Sequence, residues 1–175
     1  MPLLIIGTVA FDTVETPYGK VERAIGGSGT YAALAAAYYT QPRLVGVVGE
    51  DFPDEYIRLL DSRGVDTRGI ERAPGKSFFW HGRYEQDINI RETLITELNV
   101  LETFDPKLPD DYKNSRHVFL ANIDPNLQLK VLDQATDTAL TMADTMNLWI
   151  DITRDALEEV LRRVDIILLN DSEAR

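Results

Sequence analysis

The chain has no cysteine, only two histidines, and 18 basic residues against 29 acidic ones. Without cysteine there is no disulfide framework, no thiol nucleophile and no cysteine-based zinc site. His81 and His117 do not form a metal-ligand set by their spacing. The net charge of −11 opposes non-specific attraction to nucleic acid or to an anionic membrane, and neither partner is expected. No apolar run approaches the length of a membrane span. The start, Met1 to Gly7, lacks the basic region and small-residue cleavage site of a signal peptide, so the expectation is a soluble, cytoplasmic protein. What remains, 44% hydrophobic and 27% charged residues over 175 positions, is enough for one domain with a substantial core.

The most distinctive stretch is Ile25-Gly26-Gly27-Ser28-Gly29-Thr30-Tyr31, followed by alanine-rich sequence to Tyr39. Such a run lets the backbone turn sharply and approach a ligand closely, with Ser28 or Thr30 capping the helix that begins there. A glycine loop opening onto a helix N-terminus presents backbone N–H groups and a positive dipole end to an anionic or polyhydroxylated ligand. The plain alternative is an ordinary strand-to-helix turn.

Around this stretch, strands and helices alternate. Leu3 to Val9 is almost uninterruptedly apolar, as in a strand buried on both faces, and Asp12 follows where open α/β sheets bind their ligands. Residues 13–25 suit a strand or hairpin. Pro42 ends the alanine-rich helix and Leu44 to Val48 is a second buried strand. Asp51 is placed to cap the next helix, which Gly64 closes. Residues 74–101 hold short β-forming segments, at Ser77 to Trp80, Arg83-Tyr84, Ile88-Asn89-Ile90 and Leu94 to Thr96, separated by turn residues. With 13–25 they read as a small β lid, whose aromatic residues cover a ligand, meet a second subunit or simply pack on the domain.

The alternation then resumes. His117 to Ala121 is a strand followed by Asn122 and Asp124; Asn126 to Thr136 is helical; Ala139 to Ala143 is a strand ending at Asp144, with Asn147 three residues on. Arg154 to Arg163 is a helix, and Val164 to Leu169 a further buried strand. Asn170-Asp171-Ser172-Glu173 has the form of a strand end and helix cap, and the expectation is that the chain is cut from a longer protein. Together these give an α/β fold with a mostly parallel sheet flanked by helices and a small β lid.

These pieces resemble the ribokinase-like (PfkB) family of carbohydrate and nucleoside kinases over the whole chain. The resemblance rests on Gly7-Thr8-Val9-Ala10-Phe11-Asp12, the Gly26-Gly27-Ser28-Gly29 loop with its helix, Val47 to Asp51, Arg63 to Asp66, and an Asn-x-x-Glu motif at Asn170 to Glu173. It implies transfer of the γ-phosphoryl group of ATP, with magnesium, to a hydroxyl of a small sugar or nucleoside. Asp12, Gly26, Gly27, Tyr31, Asn122, Asp124 and Asn147 would then line the substrate, with Asn170 and Glu173 serving magnesium and the phosphates. Ribokinases often carry asparagine where this chain has Tyr31, which counts against ribose. The family's Gly-Ala-Gly-Asp-type turn with the catalytic base does not occur before Arg175, so residues 1–175 are expected to be the N-terminal part of one such domain, inactive alone, with a homodimer through the lid. The alternatives are a non-catalytic sugar- or nucleoside-binding or assembly module of the same fold, and a dinucleotide-binding oxidoreductase. The last lacks Gly-x-Gly-x-x-Gly directly after the first strand.

Overall fold

A computed structural model describes residues 2–88 and 90–175. In chain order the first half comprises β1 (Leu3–Ile6), β2 (Ala10–Thr16), β3 (Gly19–Gly26), α1 (Ser28–Ala36), β4 (Pro42–Val48), α2 (Asp54–Ser62), β5 (Asp66–Arg72), β6 (Phe79–Tyr84) and β7 (Arg91–Glu97). A 3-10 turn at Asn99–Thr103 leads into β8 (His117–Leu120), α3 (Pro125–Gln134), β9 (Leu140–Asp144), α4 (Asn147–Ile152), α5 (Arg154–Arg163) and β10 (Ile166–Leu168). The strands form a six-stranded parallel sheet in the order β10-β9-β8-β1-β4-β5 and a four-stranded sheet in the order β3-β2-β6-β7.

The central strand β1 explains the large sheet. Leu4, Ile5 and Ile6 are all fully buried, because helices cover both faces. Leu4 and Ile6 join a core with Val118, Leu120, Val131 and Val160, while Ile5 points the other way to Ala33, Leu44 and Leu60. An uninterrupted apolar run is what a strand sandwiched in this way requires.

The apolar run from Leu3 to Val9 is not one strand. β1 ends at Ile6, and the chain crosses to the second sheet, where Ala10 pairs with Gly26. Val9, Ala10 and Phe11 stay buried through the crossing, so apolar sequence continues while the sheet changes. Asp12 consequently sits within β2 and not in a loop beyond β1. Phe11 packs against Phe52, ring centroids 5.2 Å apart, and fastens the second sheet to the first.

Other expectations are corrected by hydrogen bonding. Asp51 does not cap α2, whose N-cap is Pro53 without a side-chain bond. Asp51 instead accepts from the Ser77 N–H at 2.7 Å and hydroxyl at 2.8 Å, and faces Arg23 at 3.0 Å, tying β3 and the approach to β6 together. Neither Ser28 nor Thr30 caps α1 by its side chain. Gly64, at φ +84°, does close α2: its N–H donates to Asp61 O and that of Val65 to Leu60 O, the paired bonds of a left-handed helix end. In the second sheet, Ser77 to Trp80 and Arg83-Tyr84 merge into the approach to β6 and β6 itself, and Leu94 to Thr96 lies within β7. Of the segment Ile88-Asn89-Ile90, Asn89 lies outside the described residues. β10 is a strand but not a buried one: Ile166, Ile167 and Leu168 are 44, 36 and 48% exposed, because β10 is the outermost strand of its sheet.

Candidate active site

The parallel strands β1 and β8 deliver Thr8 and Asn122 to one end of the large sheet, and the second sheet rises beside them. Between the two lies a cleft of about 210 Å³. Its floor is Thr8, Gly27, Ser28 and Asn122; Asp12, Phe78, Trp80 and Tyr84 form one wall and Met146, Leu148 and Trp149 the other, with Tyr31 at the rim. A second, more open cleft of about 530 Å³ adjoins it, lined by Asp144, Thr145, Asn170 and Glu173. Arg91, Asn122 and Met146 belong to both.

The glycine loop is needed for close approach. A side chain on Gly26 would begin 2.2 Å from the Asp12 carboxylate. Gly27 has φ +94°, and a Cβ there would lie 2.2 Å from the Thr8 carbonyl oxygen. That carbonyl accepts the Gly29 N–H at 3.0 Å, and the Thr8 hydroxyl accepts the Ser28 N–H at 2.9 Å. Thr8 thus caps α1 from outside the helix. The N-terminus expected to be open is therefore already partnered by Thr8 at the N–H groups of Ser28 and Gly29. The Ser28 hydroxyl extends this network, donating to Asn122 O at 2.8 Å.

Burial pushes the Asp12 carboxyl up from its ordinary range, only partly opposed by the Gly27 N–H at 3.4 Å. Burial also raises the Tyr31 phenol, helped by the nearby Asp12 charge. Its hydroxyl donates to Ile25 O at 3.1 Å. Asp144 is pushed up to about 6, first by burial and then by the charge of Glu173, against hydrogen bonds from the Thr145 and Asn122 backbones. The Trp149 indole N–H donates to Asn122 Oδ1 at 2.8 Å, which orients the amide so that its NH2 end is turned away from the indole.

The residues singled out in the sequence divide into groups. Asp12, Gly27, Tyr31 and Asn122 line the first cleft, with Gly26 directly behind Asp12. Asn170 and Glu173 line the second. They bond each other as a capping box: Asn170 Oδ1 accepts the Glu173 N–H at 3.0 Å, and Glu173 Oε2 accepts the Asn170 N–H at 3.0 Å. Asp124 is not on either wall. Its Oδ1 caps α3 by accepting from the Asn126 N–H at 2.8 Å. Asn147 is exposed at the start of α4, and neither cleft is lined by it.

Sequence reasoning missed Trp149 and Arg91. α4, which carries Trp149, is six residues long with no side-chain cap, so it left no helical signature. Arg91 follows a turn and looks like any exposed strand cation, yet among the described residues it is the one cation lining the two clefts. Its guanidinium lies 5.7 Å from the Trp80 ring centroid, and its neighbour Glu92 faces Arg83 at 3.6 Å. An aromatic-walled cleft with a carboxylate, next to a polar cleft with two carboxylates and a guanidinium at the boundary, suits a hydroxylated ring on one side and phosphate on the other.

Comparison with known proteins identifies the relatives of this chain. Residues 3–175 match the model described as pfkB family carbohydrate kinase. A cytidine kinase of Thermococcus kodakarensis is 30% identical over 181 residues, an alignment covering 99% of this chain and 63% of that protein. The chain therefore spans under two thirds of its relative's length. The nucleoside kinase of Methanocaldococcus jannaschii, an archaeal member of the ribokinase family, superposes with a TM-score of 0.75 at 17% identity, over 98% of this chain and 61% of that one. Ribokinase from Cryptococcus neoformans in complex with ADP gives 0.72 at 17% identity, over 98% and 57%. At such identities the likeness to the two solved structures is one of fold.

Proposed function

The chain belongs to the pfkB family of carbohydrate kinases, and from that premise we propose that the first cleft holds a nucleoside or sugar whose hydroxyl receives the γ-phosphoryl group of ATP. The observation that carries this is the junction of the clefts: Asp12 and the aromatic walls stand on one side, Asp144, Asn170 and Glu173 on the other, and Arg91 lines both. Asp12, when ionised, accepts hydrogen bonds from substrate hydroxyls; Gly26 makes room for its carboxylate, and Gly27 lets the substrate against the backbone. Trp80, Tyr84 and Phe78 offer flat apolar faces to a planar base, which favours a nucleoside over a free sugar. The likeness to a cytidine kinase supports the same choice.

Arg91 meets the transferring phosphoryl group and offsets its charge, since phosphoryl transfer depends on positioning and neutralisation. Magnesium, which the kinase reading implies, fits the second cleft. Asp144 and Glu173 supply hard carboxylate oxygens that repel one another, and magnesium is commonly held by one or two carboxylates together with phosphates. Held there by Asp144 and Glu173, it would supply positive charge that offsets the charge of the phosphates. Within the described residues no group is assigned as the base that takes the hydroxyl proton. We read residues 1–175 as part of one such domain, the second sheet as its lid, and the outer strands of that sheet, with Val21 and Ile95 exposed, as the contact of a homodimer. No helix among the described residues is long and apolar enough to cross a membrane, and a cytoplasmic location belongs to the same proposal.

The test is calorimetric titration of the full-length protein with cytidine, other nucleosides and ribose, paired with phosphorus NMR of mixtures containing ATP and magnesium. The expected result is nucleoside binding with formation of a phosphate monoester, and affinity about 10- to 100-fold lower in Asp12→Asn, the loss of a charged hydrogen bond. Neither binding nor transfer across the panel would overturn the proposal; binding without transfer would convert it to a non-catalytic binding module.

A further inference from the structure

The register between β8 and β9 ends at Leu120 opposite Ala143. Beyond that pair the two strands part. The Ala121 N–H turns to Ile6 O on β1 at 2.8 Å, while Asp144 keeps its pairing with Leu168 on β10. The split is where the chain delivers Asn122 from one strand and Asp144 and Thr145 from the other, the residues around the boundary between the clefts.

One side chain fills the split. Gln128, in the first half of α3, is fully buried, and its Nε2 donates to Leu120 O at 3.3 Å, Ala121 O at 3.1 Å and Asp144 O at 3.1 Å. Its other polar atom, Oε1, is buried with no hydrogen-bond partner among the described residues. A buried acceptor left unpaired is unfavourable, and an apolar residue of similar volume would avoid it. Departures of this kind from local optimality concentrate where a site requires them. What the glutamine provides and an apolar residue does not is a two-hydrogen donor that spans two strand ends no longer joined by the sheet.

We propose that Gln128 is a positioning residue for the active site: by holding the carbonyls of Ala121 and Asp144 to one amide, it fixes the separation of the strand ends and so the placement of Asn122 and Asp144 across the cleft boundary. The proposal rests on the kinase reading for its consequence in turnover, but its geometric content does not.

The experiment uses the full-length protein with Gln128→Met, which keeps the length of the side chain and removes the donor. Val131→Ala is the control: Val131 is fully buried on the same helix but touches neither strand end by a polar bond. The reporter is the Trp149 indole N–H, held by Asn122 Oδ1. Its hydrogen exchange is followed by NMR where the slowest core amides do not exchange, with the Trp80 indole as internal reference. Gln128→Met is expected to speed Trp149 exchange by roughly tenfold or more, and Val131→Ala to leave it unchanged although it lowers the melting temperature. Equal exchange in Gln128→Met and wild type, or equal acceleration by both substitutions, would overturn the proposal. Where wild type transfers phosphate, kcat should also fall roughly tenfold in Gln128→Met with less change in KM, the sign of a misplaced reacting geometry. A wild type without transfer would refute the kinase reading alone, because the exchange result still decides the role of Gln128.

Discussion

Replacing Gly27 by alanine tests whether the glycine loop is required by geometry or merely tolerated. At φ +94° and ψ 144° the backbone lies in a region that only glycine adopts freely, and placing a side chain there costs about 1–3 kcal/mol. The added Cβ would start 2.2 Å from Thr8 O, so the two must separate by about 1.2 Å before ordinary contact at 3.4 Å is reached. Thr8 O cannot retreat that far and keep the Gly29 N–H at 3.0 Å and the Thr30 N–H at 3.4 Å. Each lost bond adds about 1 kcal/mol, for a total near 3–5 kcal/mol. Gly64→Ala separates the two contributions, since Gly64 has φ +84° but nothing within 4 Å of its Cβ position. That variant should lose only about 1–2 kcal/mol. Urea unfolding of the three proteins, fitted with a common slope, measures the difference. If Gly27→Ala and Gly64→Ala agree within about 1 kcal/mol, the clash with Thr8 is not the reason for glycine here.

Three further outcomes follow from the electrostatics and capping of the site. The folded-state value of Asp144, about 6, lies above its ordinary value of 3.8, so the unfolded chain gives up this proton first. The contribution of Asp144 to stability should fall as pH rises from about 4 to about 6 and then level off, so the stability difference between wild type and Asp144→Asn should shift against wild type over that range; a difference in urea midpoints that stays constant with pH would refute the assignment. Arg91→Ala removes a cation that forms no ion pair among the described residues, so phosphoryl transfer should drop at least roughly tenfold while the melting temperature stays put; a loss of stability in place of rate would count against its role. Asn170→Ala deletes the acceptor for the Ser172 and Glu173 N–H groups, and should cost about 1 kcal/mol, seen as faster amide exchange confined to residues 170–175.

The alternation of strands and helices was legible because the central strands of the large sheet are sandwiched and α2 has a local stop at Gly64. Leu44 to Val48 reads as a buried strand from its own composition, and Gly64 as a helix end from its own backbone preference. The failures share a different physics. Whether Leu3 to Val9 is one strand or a strand and a crossing depends on pairing with Gly26, which apolar composition does not encode. Whether β10 is buried depends on its rank in the strand order, and Ile166 to Leu168 look the same at the edge as they would in the middle.

The site follows the same division, and Thr8 is the clearest case. A glycine-rich turn entering a helix signals free N–H groups only if nothing else in the fold reaches them, and here a hydroxyl and a carbonyl 20 positions earlier take them. Asp51 repeats the lesson: it stands where a cap belongs and bonds Ser77, 26 positions on. Side-chain donors and acceptors are committed by the tertiary arrangement, since burying them unpaired is unfavourable and the nearest partner in space need not be near in sequence. Asn170 and Glu173 escape this uncertainty because their partners are each other, three positions apart, within one turn of backbone. A motif whose hydrogen bonds close locally can be read from sequence; one whose purpose is to leave groups open for a ligand can be judged only after the rest of the chain has declined them.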